Sequence, residues 1–543
     1  MRDRVPVLAL LGGGEHDYPQ LARPLMRALE ASRHLQIDTV HSVADLNVTG
    51  RRVVIAASDE VLRPEQGEVL FEYVNRGGGL ILVHGTLTAW SGDPALSRLS
   101  GWSAGGPGPK TELVVTTDGT HPITQRLAPE WKITDELFLS EAPPAAASVL
   151  LRARWQFTDQ VVAYERAVGE GRFVFLGLGH QLATYEDPWF QKLVHRMVLH
   201  AAGHEPAPPV GVGLVGYGAI GRDHAAAIAA IPGLRLTGVC DLSDERRESA
   251  AREWSVRTHS RAEDLLEDSD VGLVVVGTPP SAHATSVVAA LAAGKHVVCE
   301  KPFALRVEEV DRMIDSATAK ELMLTVYQSR RWDPDYLAMR DVVRSGRIGE
   351  IFYMESFIGG HSHPCDFWHS HEPISGGTIY DWGSHYFDWI LQLFEEPVRR
   401  ISAAAHKRVW HDVTNADQVR VDLTFADGRQ ASFLQSDIAA ALKPKWYVLG
   451  TRGAVVGEWR DEAVPADFPA RVKVLRPAGT GVHEEVLSLA ERDDHGFYRN
   501  LADHLAWDEP LAVTPEEARR TVAVMEAATA SIARGGVQLK VDL

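Results

Sequence analysis

Short apolar runs alternate with amphipathic stretches along most of the chain. Over residues 1–204 the runs VPVLALLGG, RRVVIAAS, GGLILVHGT and GRFVFLGLGH are rich in branched residues. Between several of them lie segments with apolar positions three and four apart, such as YPQLARPLMRALEA and PEQGEVLFEYVNRG. Continuous apolar strands separated by amphipathic helices predict a mostly parallel sheet covered on both faces. The stretch AAGHEPAPPV at 201–210 has no periodicity and is rich in proline, so it reads as a seam. Beyond it the alternation tightens: VGVGLVGYG, LRLTGVCD, VGLVVVGT, KHVVCEK and LMLTVYQS read as strands, with SDERRESAAREW, SAHATSVVAALAAG and RVEEVDRMIDSATAK as helices between them. Ser260 and Glu263 have capping-box spacing ahead of DLLED. From about residue 331 longer segments alternate apolar and polar positions (EIFYMESFIGG, DQVRVDLTFADG, QASFLQSD), which predicts an antiparallel sheet with one open face. Three α/β domains are expected: 1–204, then 211–330 after a 205–210 linker, and 331–543 with a large, mainly antiparallel open sheet.

Charge and composition narrow the function classes. The 543 residues carry 55 Lys+Arg against 73 Asp+Glu, a net charge of −18, and no basic run, so neither nucleic acid nor an anionic membrane surface is an expected partner. Charges and glycines interrupt every apolar run well short of the roughly 18 residues a span requires. The opening MRDRVPVLALLGGGEHD reads as a first strand and not as a signal peptide. Three cysteines cannot build a disulfide framework, and a cytoplasmic location is expected.

Gly216, Gly218 and Gly221 form G-x-G-x-x-G around Tyr217, Ala219 and Ile220, between a strand and a helix, and Asp241 closes the next strand 20 positions after Gly221. The first glycine makes the tight turn, the second lets backbone approach a pyrophosphate, and the third permits close helix–strand packing. The helix N-terminus supplies amide donors to the phosphates. Asp241 is placed to bind the ribose hydroxyls and repel a 2′-phosphate, which favours NAD over NADP, while Arg246 and Arg247 in the following helix oppose that preference. Neither a P-loop nor H-E-x-x-H nor paired C-x-x-C is present.

Taken together, GYGAIG, Asp241, TPPSAHATSVVAALAAGKHVVCEKPFAL, GGTIYDWGSHYFDW and TPEEARRTVAVMEAATASIARG resemble the Gfo/Idh/MocA oxidoreductase family over about residues 210–543. The resemblance implies a Rossmann domain followed by an open-sheet α/β domain, and NAD(P)-dependent dehydrogenase activity on sugars, inositols and related polyols. It also implies a homo-oligomer, a dimer or tetramer paired through the open sheet. The family's E-K-P falls on Glu300, Lys301 and Pro302, and its D-x-x-x-H on Asp381 and His385. An i, i+4 spacing predicts that the latter pair share one helix face. Oxidising a secondary alcohol requires a base for the hydroxyl proton and a cation at the carbinol oxygen. His385 is assigned as the base, Lys301 as the polarising group and Asp381 as hydroxyl acceptor or orienter. Thr278, Pro279, Pro280 and His283 match the loop lying along the dinucleotide. Gln328, Arg331 and Trp332 match the crossover into the second domain and, like Glu300 and Lys301, are expected to contact the cofactor, with an interdomain ion pair as the alternative for Arg331. The stretch HSHPCDFWHSH places His361, His363, Cys365, His369 and His371 in a variable loop; substrate contact or solvation is expected there in preference to a metal, and no metal is expected in the chain.

Residues 1–204 resemble the ThuA-like (trehalose-utilisation) family, through GGGEHDYPQLARPL, GGGLILVHGT, HPIT at 121–124, DELF at 135–138 and GRFVFLGLGH. This implies a layered fold like that of glutamine amidotransferases, related to the flavodoxin type. Where those enzymes carry a nucleophilic cysteine, this chain carries His84, and no cysteine precedes Cys240, so a thiolate mechanism is excluded. His16, His84, Asp135, Glu136 and His180 are expected to form a polar pocket. The leading expectation is NAD-dependent oxidation of a secondary hydroxyl of a sugar, glycoside or cyclitol, with the N-terminal domain processing the keto product. Two alternatives stand beside it: NAD-assisted glycoside cleavage without net redox, and a nucleotide-binding regulator.

Overall fold

A computed structural model of the chain describes residues 4–32, 34–101, 107–139, 144–155, 158–365, 367–459 and 469–543. The chain divides into two compact units. One comprises Met1–Pro208 together with Ala502–Pro510, and the other Pro209–Leu501 with Leu511–Leu543.

The first unit is built on a nine-stranded sheet. Its spatial order is Leu35–Val40, Val5–Gly12, Val53–Ser58, Gly79–Val83, Gly171–Leu176, Thr158–Val168, Ser148–Trp155, Pro107–Thr116 and Glu130–Phe138. Successive residues of the first strand enter opposite hydrophobic clusters, Val7, Ala9 and Leu11 into one and Leu8 and Leu10 into the other, so both faces are buried. The first five strands are parallel. The remaining pairings are antiparallel, against the expectation of a mostly parallel sheet. The reason lies in the connections: Val168 pairs with Gly171 across a two-residue turn in which Gly169 adopts φ +58°, and so short a link allows only a hairpin. Glu130–Phe138 shows the matching alternation of exposed and buried positions.

The second unit holds two sheets. In the first, Arg257–His259, Leu234–Cys240, Val210–Val215, Leu273–Val276, His296–Cys299 and Leu324–Val326 lie side by side in that order, all parallel. This is the doubly wound dinucleotide-binding order, with its switch point at Val210–Val215. The second sheet has nine strands and is antiparallel except where Ile351–Gly359 pairs with Gln430–Ser436. One local expectation fails: the helix Ala262–Leu266 is capped at Arg261 without a side-chain bond, so Ser260 and Glu263 do not form a capping box. Among the described residues no helix is long and apolar enough to cross a membrane.

Candidate active site

Each glycine of the fingerprint has a different physical reason. Gly216 ends its strand at φ +101°, and a Cβ there would fall 2.6 Å from the Gly277 carbonyl oxygen. A Cβ on Gly221 would stand 2.4 Å from the Gly216 oxygen, so the helix Ala219–Ala230 can approach the strand only without a side chain there. At Gly218 a Cβ would meet only the tip of Arg246, at 4.0 Å. That position borders open space at the helix N-terminus, where a pyrophosphate fits. Beside it, the buried Thr278 hydroxyl has no hydrogen-bond partner. These features fit a dinucleotide. Asp241 ends the second strand, its carboxylate accepting from Tyr217 N at 2.7 Å and Ser243 N at 2.8 Å, with Arg246 Nη1 3.5 Å away. The Tyr217 side chain turns away from the loop mouth to donate to Glu253 and accept from Trp254. Ile220 is exposed on the first turn of the helix.

Two of the residues assigned to the cofactor face elsewhere. His283 is fully buried, with its ring nitrogens 2.7 Å from Thr278 O and 2.8 Å from Pro302 O, so it braces the Thr278–Pro280 loop against the Glu300–Pro302 segment instead of offering a group to the dinucleotide. Arg331 is buried and forks onto Asp388, with Glu517 at 2.9 Å; these are ion pairs within the 331–543 segment and not the interdomain pair expected of it. Trp332 packs edge-on to Phe497.

The groups expected to react lie around the end of the parallel strand His296–Cys299. Glu300 accepts from the Lys301 amide at 2.8 Å, and its other oxygen lies 3.0 Å from His224 Nε2. His224 Nδ1 in turn meets the Tyr498 hydroxyl at 2.7 Å. No motif marks His224 or Tyr498; a histidine in the helix after the glycine loop is the only sequence signal. Lys301 Nζ donates to Asp381 Oδ1 at 3.0 Å. Asp381 and His385 lie on two helical segments, Thr378–Asp381 and Gly383–Leu393, flanking Trp382, and not on one continuous helix face. The His385 amide bonds to Trp382 O, which tightens the chain at the junction.

His385 is held from behind. Gln328 Nε2 donates to Ser384 O at 3.0 Å, which turns Gln328 Oε1 toward His385 Nδ1, also at 3.0 Å. An amide oxygen only accepts, so Nδ1 carries the hydrogen and Nε2 presents a lone pair. Burial, then the Lys301 charge, hold its pKa well below the ordinary imidazole value, so His385 is neutral throughout the physiological range. Asp437, beyond the strand Gln430–Ser436, is a titrating group that sequence reasoning missed. Burial, then the Asp381 and Asp417 carboxylates, push its pKa up to about 6. A rise in kcat/KM through about pH 6 is therefore expected to follow ionisation of Asp437, with no limb from His385. Asp437→Asn should abolish that limb in a pH–rate profile, and an unchanged profile would assign it elsewhere.

The histidine-rich loop is divided among separate partners: His363 with Asp412 at 2.7 Å, Cys365 Sγ with Ser370 Oγ at 3.6 Å, and His369 stacked on Trp368. His361 bridges to Ile438, and His371 begins a short helix. His369 feels the charges of Asp381 and Lys301, which places it near that pair. In the other unit His16, His84, Glu136 and His180 converge. Asp135 supports them, accepting from Gly179 N at 2.7 Å, His180 N at 3.0 Å and Thr184 Oγ1 at 2.9 Å.

Comparison with known proteins agrees with this geometry. The family profile described as "Oxidoreductase family, NAD-binding Rossmann fold" matches residues 210–328, and that of the GFO/IDH/MocA C-terminal domain matches 336–456. An inositol 2-dehydrogenase of Rhizobium meliloti is 32% identical over 45% of this chain and 74% of its own length. The chain belongs to the Gfo/Idh/MocA oxidoreductase family. Its N-terminal unit matches the "Trehalose utilisation" (ThuA) profile over residues 5–201. A scyllo-inositol 2-dehydrogenase (NADP(+)) of Bacillus subtilis is 27% identical over 62% of this chain and 97% of that protein. A solved NAD-binding protein from Listeria innocua superposes with TM-score 0.55 and 27% identity, covering 62% of this chain and all of that one. The chain spans about half the length, 56%, of two uncharacterized oxidoreductases of Schizosaccharomyces pombe that it matches at 34% and 31% identity.

Proposed function

We propose that the protein oxidises a secondary hydroxyl of a sugar, glycoside or cyclitol by hydride transfer to NAD. The observation that carries this reading is the Lys301–Asp381 pair, 3.0 Å apart, in the same unit as the Gln328-held His385, with the neighbouring Glu300 3.0 Å from His224 of the helix that follows the glycine loop. Similarity to the Rhizobium inositol 2-dehydrogenase supports the substrate class. When bound, the nicotinamide supplies the hydride acceptor. His385 Nε2 takes the hydroxyl proton, the Lys301 ammonium stabilises the oxygen as negative charge grows on it, and Asp381 holds Lys301 while accepting from a neighbouring hydroxyl.

The Asp241 carboxylate supports NAD over NADP, since it opposes a 2′-phosphate. Arg246 is more than half exposed and offsets only part of that charge. NAD should bind at least roughly tenfold tighter, about 1.4 kcal/mol, and Asp241→Ala should narrow the gap. A wild-type preference for NADP, the cofactor in the name of the Bacillus relative, would show that Arg246 decides. The same preparation, challenged with inositols, monosaccharides and disaccharides, should reduce NAD with at least one of them. Silence across the panel with intact NAD binding would favour a regulator, and release of an aglycone without NADH would favour redox-neutral cleavage. The N-terminal unit, in this reading, processes the keto product; full-length wild type and His180→Ala giving identical final products would remove that step.

A further inference from the structure

The second concentration of chemistry lies in the N-terminal unit, at the C-terminal ends of its parallel strands, where open α/β sheets bind ligands. His180 Nδ1 stands 3.0 Å from His84 Nε2, 3.1 Å from His16 Nε2 and 3.2 Å from Glu136 Oε2. Glu136 Oε2 is also 3.4 Å from His84 Nε2. The outer nitrogens settle the tautomers. His84 Nδ1 faces the Gly177 carbonyl oxygen at 3.3 Å, and His16 Nδ1 faces Asp59 Oδ2 at 3.3 Å. Both oxygens only accept, so each Nδ1 carries the hydrogen and each Nε2 turns a lone pair inward. His180 Nδ1 has a single valence to offer, a hydrogen or a lone pair, and three acceptor atoms around it. At least two acceptors are left facing one another without a proton between them. Such a group lacks a cation.

We propose that His16, His84 and His180, with Glu136, bind a divalent transition-metal ion of the zinc type. Zinc bonds of about 2.05 Å in tetrahedral geometry separate ligand nitrogens by about 3.3 Å, close to the spacings found here. A carbonyl behind one imidazole and a carboxylate behind another is the support that metal-bound histidines receive. The backbone is committed to the same point. His84 adopts φ +50°, unfavourable for a residue with a side chain, at the sharp turn after Gly79–Val83. Asp59 gathers the amides of Gly14, Glu15 and His16 at 2.7, 2.9 and 3.0 Å, wrapping the loop so that His16 points inward. A Cβ on Gly13 would fall 1.6 Å from Asp59 Oδ1, so this wrapping requires glycine.

Two further groups lie beside the cluster with nothing to bind. The Tyr18 and Tyr185 hydroxyls are buried without a hydrogen-bond partner. Tyr18 Oη lies 3.6 Å from where a Cβ on Gly85 would stand, and Tyr185 Oη 3.0 Å from one on Gly179, next to His84 and His180 respectively. His16, Glu136 and His180 are partly exposed, which leaves a coordination position for a water or a substrate oxygen. A second group in the same unit, His121, Glu165 and His200, differs in the decisive respect: Arg172 donates to both Glu165 and His200, so it already holds its cation. The sequence reading expects no metal in the chain, and the geometry departs from it here.

The test uses the full chain, freed of metal by a chelator and titrated with Zn²⁺ by calorimetry and with Co²⁺ by visible absorption. One ion per chain and a cobalt ligand-field spectrum are expected. His16→Gln and His180→Gln should each weaken binding by at least roughly a hundredfold and Asp59→Asn by at least roughly tenfold, with an unchanged circular-dichroism spectrum and metal-free unfolding profile as proof that the N-terminal unit is folded. His363→Ala should bind metal as the wild type does. His84→Ala belongs to the series, but the two partly exposed glutamine variants decide the matter if it fails to fold. The proposal is overturned if the wild type binds neither ion below about 10 µM, or if both glutamine variants bind as tightly as the wild type.

Discussion

Lys301→Ala is expected to lower kcat by about a thousandfold, and His385→Ala by at least a hundredfold, in NADH formation with whichever polyol the panel identifies. The two losses have different causes. Without the ammonium, negative charge develops on the carbinol oxygen with no cation beside it, and Asp381, 3.0 Å from Nζ in the wild type, is left to repel it. Without the imidazole no neutral base remains where Gln328 holds one, 3.0 Å away. Because the two act on the same proton and oxygen, the double variant should lose far less than the product of the single losses. NAD affinity should change little in either. Full activity in both variants would remove the assignment of the reacting groups.

Asp503→Ala is expected to cost the N-terminal unit about 3–5 kcal/mol of stability, the usual scale for stranding buried charge. Asp503 is completely buried and meets Arg126 at 2.6 Å, Lys192 at 2.6 Å and Arg196 at 2.7 Å, and Glu509 adds a second carboxylate 2.6 Å from Arg196. Burial pushes the Asp503 carboxyl upward, but Arg196, Lys192 and Arg126 outweigh it and hold it below the ordinary range. A carboxylate whose pKa is lowered on folding contributes its stability above its unfolded value, near 3.9. That contribution is lost only as pH falls through the lower folded value. Denaturant unfolding near neutral pH should show the full loss in the variant. Arg51→Ala, which breaks the partly exposed pair with Asp38, should change stability by less than about 1 kcal/mol. Equal effects from the two substitutions would mean that the buried network is not a stabilising element. The network also governs experimental design. Ala502–Pro510 belongs to the unit formed by residues 1–208, with Trp507 fully buried, so removing those residues strips the segment of the surroundings it packs among. Point variants in the full chain separate the roles of the units more cleanly than truncation.

Much of the second unit was legible because its signals are local. A glycine fingerprint combines a strand end, a turn and a helix start within six residues, and each glycine answers a steric demand met within that stretch or at the neighbouring strand. Lys301 was placed by its own short motif, as were Asp381 and His385. An i, i+4 pair shares one face only on an unbroken helix, and the junction at Trp382 supplies two segments instead. Motifs lead to the expectation that His283 and Arg331 contact the cofactor, but residue type alone does not show that carbonyl oxygens and carboxylates already engage them.

The sequence by itself determined the alternation of strands and helices, the seam at 201–210, the open sheet and the glycine loop, and it supplied the motifs from which Lys301, Asp381 and His385 are proposed as reacting groups. These depend on side-chain periodicity and on backbone angles that neighbouring residues dictate. Tertiary structure alone decided which groups face one another. It brought His16 and His180, 164 positions apart, within 3.1 Å, set Gln328 behind His385, raised Asp437, and gave Ala502–Pro510 to the N-terminal unit. The reason is common to all four: hydrogen bonding, desolvation and charge coupling act over a few ångströms in space, and the separation of two residues along the chain does not fix that distance.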